Sequence, residues 1–170
     1  KIFSKKKNLR VLSLKKYLSP KFSIKTIGGG SLGQGRDDSN LLKKHLVTPT
    51  KRGLTPSQLS TGLFAWKVVK HTKSNAIVVA KNNQIISISG GQTSRVDATK
   101  IAFEKTKIPK GCVVASDAFF PFKDSIEKMA QYKISAIIQP GGSIRDSEVV
   151  ESCNKNKIAM AFTGYRVFKH

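Results

Sequence analysis

The 170-residue sequence contains only two cysteines, few acidic residues and no long apolar run. Cys112 and Cys153 lie far apart and form no paired motif, which indicates free thiols in a reducing compartment rather than a disulfide framework. No stretch approaches the ~20 apolar residues that a membrane span requires. The amino-terminal part has no apolar segment long enough for a signal peptide. We therefore expect a cytoplasmic protein without membrane contact, and the absence of an initiator Met indicates a chain cut from something longer.

Acidic residues are scarce beside basic ones, with 10 Asp and Glu against 31 Lys and Arg, so the formal net charge is +21. Of the basic residues, 25 are Lys and 6 are Arg. Proteins that read base edges or hold phosphates bidentately favour Arg. A Lys-dominated excess fits compositional drift or a general attraction to anions at least as well. A basic nucleic-acid-associating module is therefore the less favoured alternative.

The sequence changes character near residue 54. Residues 1–54 form a basic segment with one predicted strand at Leu9–Leu14 and a linker, whereas residues 55–170 alternate regularly between helix and strand signals. Thr55, Pro56 and Gln58 have the spacing of a capping box, which predicts a helix from Pro56 to about Lys70. The later elements are predicted as strands 76–80 and 85–89 joined at Asn82–Asn83, helix 94–105, strand 112–116, helix 124–131, strand 134–139, helix 146–154 and strand 158–162. This order predicts an α/β fold with a mixed, mostly parallel sheet and helices on both faces.

The loops that follow the predicted strands are the richest in the chain: "GGQTSR", "SDAFFPF", "PGGSIRD" and "TGYR". Ligands of such sheets bind outside the carboxyl ends of the strands, so these loops predict a site. "GGQTSR" and "PGGSIRD" fit either anion binding at a helix start or ordinary strand-to-helix turns, and the sequence leaves both open. Three phenylalanines around Pro121 suit a platform for a flat heterocycle. By contrast, the G-x-G-x-x-G match at Gly28–Gly33 is followed by turn-like residues, which favours a flexible or turn-forming loop over a dinucleotide site.

Several segments occur in the order found in one family: "KKKNLRVL", "IGGGSLGQGRD", "AWKVVKHTKSNAIVVAKNNQ", "SGGQTSRVDATKIA", "SDAFFPFKDSIE", "QPGGSIRDSEVV" and "IAMAFTGYRVFKH". Over essentially the whole chain, they resemble the bifunctional purine-biosynthesis family that joins AICAR transformylase to IMP cyclohydrolase. The resemblance implies a three-layer α/β/α, cytidine-deaminase-like subdomain at 55–170, with 1–54 ending the preceding transformylase region. No zinc is expected, because the deaminase signature of H-x-E with P-C-x-x-C is absent.

The resemblance also implies an activity, the transfer of a formyl group from 10-formyltetrahydrofolate to the 5-amine of AICAR. Matching motifs place the AICAR contacts at Asn75, Arg95, Phe119 and Arg166. The folate contacts fall at Val96, Asp124, Ser143 and Ile144. A potassium site, seen in some members, matches Thr72, Ser74, Asp117 and His170.

The family's catalytic Lys-His pair has no counterpart in this sequence, and we expect it upstream. Lys44-His45 and Lys70-His71 look similar, but their surroundings align elsewhere in the family. The cyclohydrolase domain is absent too, and the family builds its active site across a homodimer. We therefore expect this chain to carry much of the binding surface with little or no turnover alone. An inactive truncated product is a further alternative, and Gly35 stands where the family usually has Asp.

Overall fold

The computed structural model describes residues 3–15, 21–35, 37, 40, 41 and 43–170. The chain divides into two compact units, Lys1–Asn40 and Leu41–His170. Among the described residues, no helix combines the length and the apolar character needed to cross a membrane.

The first unit contains a 3-10 helix at Phe3–Lys5 and an antiparallel hairpin of strands β1 (Phe22–Ile27) and β2 (Gly30–Gly35). The two-residue turn at Gly28-Gly29 joins them, and Gly29 has a φ of 81°, which glycine adopts without strain. Gly28 and Gly29 of the glycine-rich motif therefore form a turn, as predicted, whereas residues 30–33 of the motif belong to β2. Both strands are exposed along their whole length.

The strand predicted at Leu9–Leu14 is wrong, because these residues have no regular secondary structure. Their apolar side chains are largely exposed, from Leu9 at 46% to Leu12 at 91%. Alternating apolar residues favour a strand only where a partner strand supplies hydrogen bonds and one face is buried. Among the described residues, this segment has neither.

The second unit is built on a five-stranded sheet in the order β4-β3-β5-β6-β7. Its strands are β3 (Ile77–Lys81), β4 (Gln84–Ser89), β5 (Val113–Ser116), β6 (Ala136–Gln139) and β7 (Ala159–Phe162). β3 pairs antiparallel with β4 and β5, while β5 with β6 and β6 with β7 are parallel. This confirms an α/β fold with a mixed sheet. Two of the four strand pairings are parallel. Because β3 is antiparallel to both of its neighbours, β4, β5, β6 and β7 all run in the same direction.

Helices cover both faces of this sheet. α1 (Pro56–Lys70) packs Ala65, Trp66 and Val69 against Val78 and Ile138 on one face. The opposite face is covered by α2 (Arg95–Glu104), α3 (Asp124–Gln131) and α4 (Asp146–Lys155), through a larger core that includes Phe103 and Met129. The second unit therefore has three layers, and its central strands β5 and β6 are buried along their whole length, whereas β4 is partly exposed.

Local sequence explains where α1 begins and where the chain turns between β3 and β4. The Thr55 Oγ1 atom accepts from the Gln58 backbone N–H at 3.3 Å, and Thr55 N–H donates to Gln58 Oε1 at 2.8 Å, so the predicted capping box is confirmed. The predicted hairpin is also confirmed, since Asn82 and Asn83 adopt φ values of 50° and 57° between β3 and β4.

Residues 41 and 43–54 belong to the second unit. Val47 and Phe162 exchange backbone hydrogen bonds of 3.0 and 2.7 Å, and the Met160 N–H donates to Thr50 Oγ1 at 2.9 Å. The compact unit thus begins at Leu41, and the boundary after residue 54 stays a prediction. The assignment of either segment to a family subdomain, including the likeness to cytidine deaminases, stays a prediction.

Candidate functional site

The predicted site residues lie at one edge of the sheet, where "edge" means a row of strand ends and not an outer strand. β4, β5, β6 and β7 end there, and β3 begins there because it runs in the opposite direction. The four predicted loops leave this edge, and the segment 72–76 enters it. The elements on this edge carry all twelve predicted binding residues, although only some of these residues contact one another.

A buried polar cluster lies at the centre of this edge. One guanidinium nitrogen of Arg95 donates to an Asp117 carboxylate oxygen and, at 2.9 Å, to the Ala76 carbonyl. The other nitrogen donates to Asn75 Oδ1 at 2.9 Å. The Asn75 amide in turn donates to the Gln92 carbonyl at 2.9 Å. Two predicted AICAR contacts, Asn75 and Arg95, are therefore hydrogen-bonded to each other.

The charge of Arg95 is compensated inside the protein. Asp117 is fully buried and Arg95 is 7% exposed, so each ion is the counter-charge that the other requires. Asp117 Oδ1 also accepts from the Ala76 N–H at 3.1 Å, whereas Oδ2 has no partner among the described residues. The described contacts use three of the five Arg95 N–H donors. The remaining donors can meet a neutral polar group, but Arg95 brings little net charge to an anion.

A second pair, Phe119 and Arg166, lies next to this cluster. The Arg166 guanidinium carbon is 4.8 Å from the centroid of the Phe119 ring, a cation–π geometry. The Val167 N–H donates to the Asp117 carbonyl at 3.0 Å, which brings the segment carrying Arg166 back to β5. The structure thus joins the other two predicted AICAR contacts. Among the described residues no carboxylate pairs with Arg166, and its side chain is exposed.

The loop after β6 forms another Phe–Arg pair, with the Arg145 guanidinium carbon 4.8 Å from the centroid of the Phe122 ring. Asp146 Oδ2 accepts from the Gly142 N–H at 2.6 Å. Arg145 occupies the cap position of α4 without a side-chain bond, and Asp146 instead holds the loop after β6. By contrast, Ser94 caps α2, and its Oγ accepts from the Asp97 N–H at 3.0 Å.

The four predicted folate contacts lie at the mouth of the edge. Val96 and Asp124 are exposed in the first turns of α2 and α3, and Ile144 is fully exposed. Ser143 is half-buried, and its Oγ accepts from the Arg145 N–H at 3.2 Å.

Two of the predicted potassium ligands, Ser74 and Asp117, are hydrogen-bonded to the tail 167–170. The Ser74 N–H donates to the Lys169 carbonyl at 2.8 Å, and the Lys169 N–H donates to Ser74 Oγ at 3.0 Å. The Thr72 hydroxyl donates to the Val68 carbonyl at 2.9 Å, and the ring of His170 lies 5.9 Å from that of Phe168. The oxygens of Thr72, Ser74 and Asp117 suit a hard cation, whereas the imidazole nitrogen does not. Among the described residues, no group of three or more His, Cys, Asp or Glu could hold a metal ion.

Sequence reasoning missed Gln139 and Gln92. The fully buried Gln139 side chain accepts from the Phe120 N–H at 2.9 Å, and Gln92 exchanges backbone bonds with Asn75. The sequence does carry a signal for Gln139, because a long polar side chain ends the otherwise apolar strand "AII". Buried polar side chains are kept where a backbone group requires them.

The two cysteines stand apart from these loops. Cys112 and Cys153 are free, as predicted, and both are buried. Burial raises the pKa of the Cys153 thiol to about 12, and burial also raises that of Cys112, an effect that Lys81 opposes. Such thiols are poor nucleophiles, so the site does not indicate thiol chemistry.

Comparison with known proteins gives consistent matches. A family model described as "AICARFT/IMPCHase bienzyme" matches residues 1–105. The bifunctional purine biosynthesis protein PurH of Aquifex aeolicus is 53% identical over 171 residues, covering 98% of this chain and 33% of that protein. PurH of Acetivibrio thermocellus is 49% identical over 175 residues, 100% of this chain and 34% of the relative. PurH of Paracoccus denitrificans is 44% identical over 183 residues, 99% of this chain and 35% of the relative. The chain spans about a third of the length of the curated relatives it matches.

Proposed function

Because the chain belongs to the AICARFT/IMPCHase bienzyme family, we propose that it is part of an AICAR formyltransferase of purine biosynthesis. The reaction transfers the formyl group of 10-formyltetrahydrofolate to the 5-amine of AICAR. The relatives are about three times as long, so the other parts of such an enzyme, including IMP cyclohydrolase, lie outside these 170 residues in our proposal.

The stacked pair of Phe119 and Arg166 is the observation that carries the proposal. AICAR combines a flat imidazole carboxamide with an anionic phosphate. The half-buried ring of Phe119 offers an aromatic surface for the heterocycle. Arg166 is exposed and lacks a carboxylate partner among the described residues, so its charge is available to an anion.

The buried cluster supports a division of roles between the two arginines. Asp117 compensates the charge of Arg95, and Arg95 orients the amide of Asn75. We assign Asn75 and the remaining Arg95 donors to the neutral polar groups of AICAR. Arg166 is then the residue that meets the anionic group.

The folate lies, in this proposal, on the side of Val96, Asp124, Ser143 and Ile144, where the Phe122–Arg145 pair forms a second aromatic surface. A potassium ion would be held by the oxygens of Thr72, Ser74 and Asp117, where Asp117 Oδ2 has no partner among the described residues. The Lys-His pair that acts as base and stabilises the transition state would come from outside this sequence, across a homodimer. This division implies binding without turnover by these residues alone.

Titration calorimetry of the full-length enzyme with AICAR and a folate analogue tests the proposal. We expect saturable AICAR binding that Phe119→Ala and Arg166→Ala each weaken by roughly 10-fold or more, about 1.4 kcal/mol. Arg52→Ala is the matched control, because Arg52 bonds the Lys157 carbonyl just before β7, at the opposite edge of the sheet. Absence of saturable binding, or equal binding by all three variants, would refute the proposal.

The same protein should bind unrelated DNA only weakly. If the net charge of +21 served nucleic acid, affinity for DNA would be high and would fall steeply with salt. That result, together with no AICAR binding, would favour the nucleic-acid alternative.

A further inference from the structure

Gln139 is a polar residue in an apolar part of the sheet. It ends β6 after Ala136, Ile137 and Ile138, and all four side chains are fully buried. An amide is costly in such surroundings unless its atoms are hydrogen-bonded, and an apolar residue would fill the space without that cost. The amide therefore requires a specific reason.

The orientation of the amide identifies that reason. The Phe120 backbone N–H, which can only donate, lies 2.9 Å from Gln139 Oε1, so the oxygen must face it. This leaves the NH₂ group of Gln139 against Met160 Sδ at 3.3 Å, and sulfur is a weak acceptor. The geometry satisfies the Phe120 N–H well and the Gln139 NH₂ group poorly.

The backbone around Gln139 holds a second loop. The Thr163 N–H donates to the Gln139 carbonyl at 2.9 Å, and the Gly164 N–H donates to the Pro140 carbonyl at 3.0 Å. Phe120 follows Phe119, and Gly164 lies two residues before Arg166. Gln139 at the end of β6 and the following Pro140 thus fix both loops whose side chains meet in the Phe119–Arg166 pair.

We propose that Gln139 is a positioning residue for ligand binding, which acts through the Phe119–Arg166 pair and makes no ligand contact itself. The inference rests on the proposed function for the identity of the ligand. Without the amide oxygen, the buried Phe120 N–H loses its partner, and the loop must shift to satisfy it. That shift moves the ring of Phe119 away from Arg166.

Calorimetry with AICAR on the full-length enzyme tests this role. Gln139→Met keeps an unbranched side chain of similar length but removes the oxygen, and should weaken AICAR binding about 10-fold. Gln139→Glu keeps an acceptor at the same position and should bind within about 3-fold of wild type. The control Met160→Leu removes the sulfur contact while leaving the Phe120 bond, and should also stay within about 3-fold.

The outcomes separate this inference from the proposed function. If the wild type binds no AICAR, the proposed function fails. If Phe119→Ala weakens binding but Gln139→Met binds like wild type, the positioning role of Gln139 is refuted. The role is equally refuted if Gln139→Glu is as weak as Gln139→Met.

A measurement on the wild type covers the case in which Gln139→Met does not fold. The Phe120 amide hydrogen should exchange with solvent at least 100-fold more slowly than the exposed amides of the same loop. Exchange of Phe120 as fast as that of Phe122 or Lys123 would overturn the proposal.

Discussion

The Asp117→Asn substitution provides a direct test of the buried cluster. Asparagine has the shape of aspartate and retains one oxygen that can accept from Arg95 and from the Ala76 N–H. The substitution therefore removes the negative charge while leaving most of the hydrogen bonds. What remains is the Arg95 guanidinium, 7% exposed, without a buried counter-charge.

The expected loss of stability follows from this geometry. Removing one partner of a buried ion pair costs about 3–5 kcal/mol. Because the hydrogen bonds of one oxygen survive in asparagine, we expect the lower part of that range, about 3 kcal/mol. At a urea m value of ~2 kcal/mol/M, the unfolding midpoint falls by about 1.5 M.

Urea unfolding followed by tryptophan fluorescence measures this loss. Trp66 is the only tryptophan of the chain and is 1% exposed in the core beneath α1, so it reports on the unit that contains Asp117. Glu151→Gln makes the same chemical change in the exposed Lys155–Glu151 pair, whose atoms lie 3.1 Å apart. The control should shift stability by less than ~0.5 kcal/mol. If Asp117→Asn shifted it no more than the control, our account of the cluster would be refuted.

Three further predictions concern other parts of the second unit. Thr55→Ala removes the capping box of α1 and should lower the free energy of unfolding by about 1 kcal/mol in the same urea assay. Gly141→Ala should destabilise more than Gly142→Ala, because a Cβ at 141 would lie 2.8 Å from the Phe162 ring while one at 142 meets nothing within 4 Å; equal losses would contradict this. The pKa of Cys153 rises from 9.0 to about 12 on folding, so its contribution to stability is full below pH ~9 and declines towards pH 12. Urea unfolding at pH 8 and at pH 10.5 should therefore show that the free energy of unfolding falls less between the two pH values in Cys153→Ala than in wild type. An equal fall in both proteins would contradict the burial of the Cys153 thiol.

Sequence reasoning succeeded where local chemistry decides the structure. The capping box at Thr55 and the positive φ angles of Asn82 and Asn83 depend on a few neighbouring residues, and both were predicted. The strand at Leu9–Leu14 failed because its pattern required a distant partner. The hairpin from Phe22 to Gly35 was missed because its second strand contains three glycines, which are poor strand formers.

The site was predictable in position but not in detail. Strand order placed the four loops on one edge, since the carboxyl ends of parallel strands meet there. The contacts that organise these loops join residues far apart in sequence, such as Arg95 with Asp117 and Phe120 with Gln139. No local pattern reveals which arginine has a buried counter-charge, so the different environments of Arg95 and Arg166 emerged only from the structure.

The three phenylalanines after β5 differ in environment, and this difference explains why the loop contains so many aromatic residues. Phe120 is fully buried and anchors the loop in the core, with its N–H bonded to Gln139. Phe119 is half-buried beside Arg166, and Phe122 is 45% exposed beside Arg145. Because the two arginines belong to different loops, after β7 and after β6, the anchored segment presents an aromatic–cation pair towards each. Such an arrangement suits two flat, anionic ligands bound side by side, as AICAR and a folate would be in the proposed formyl transfer.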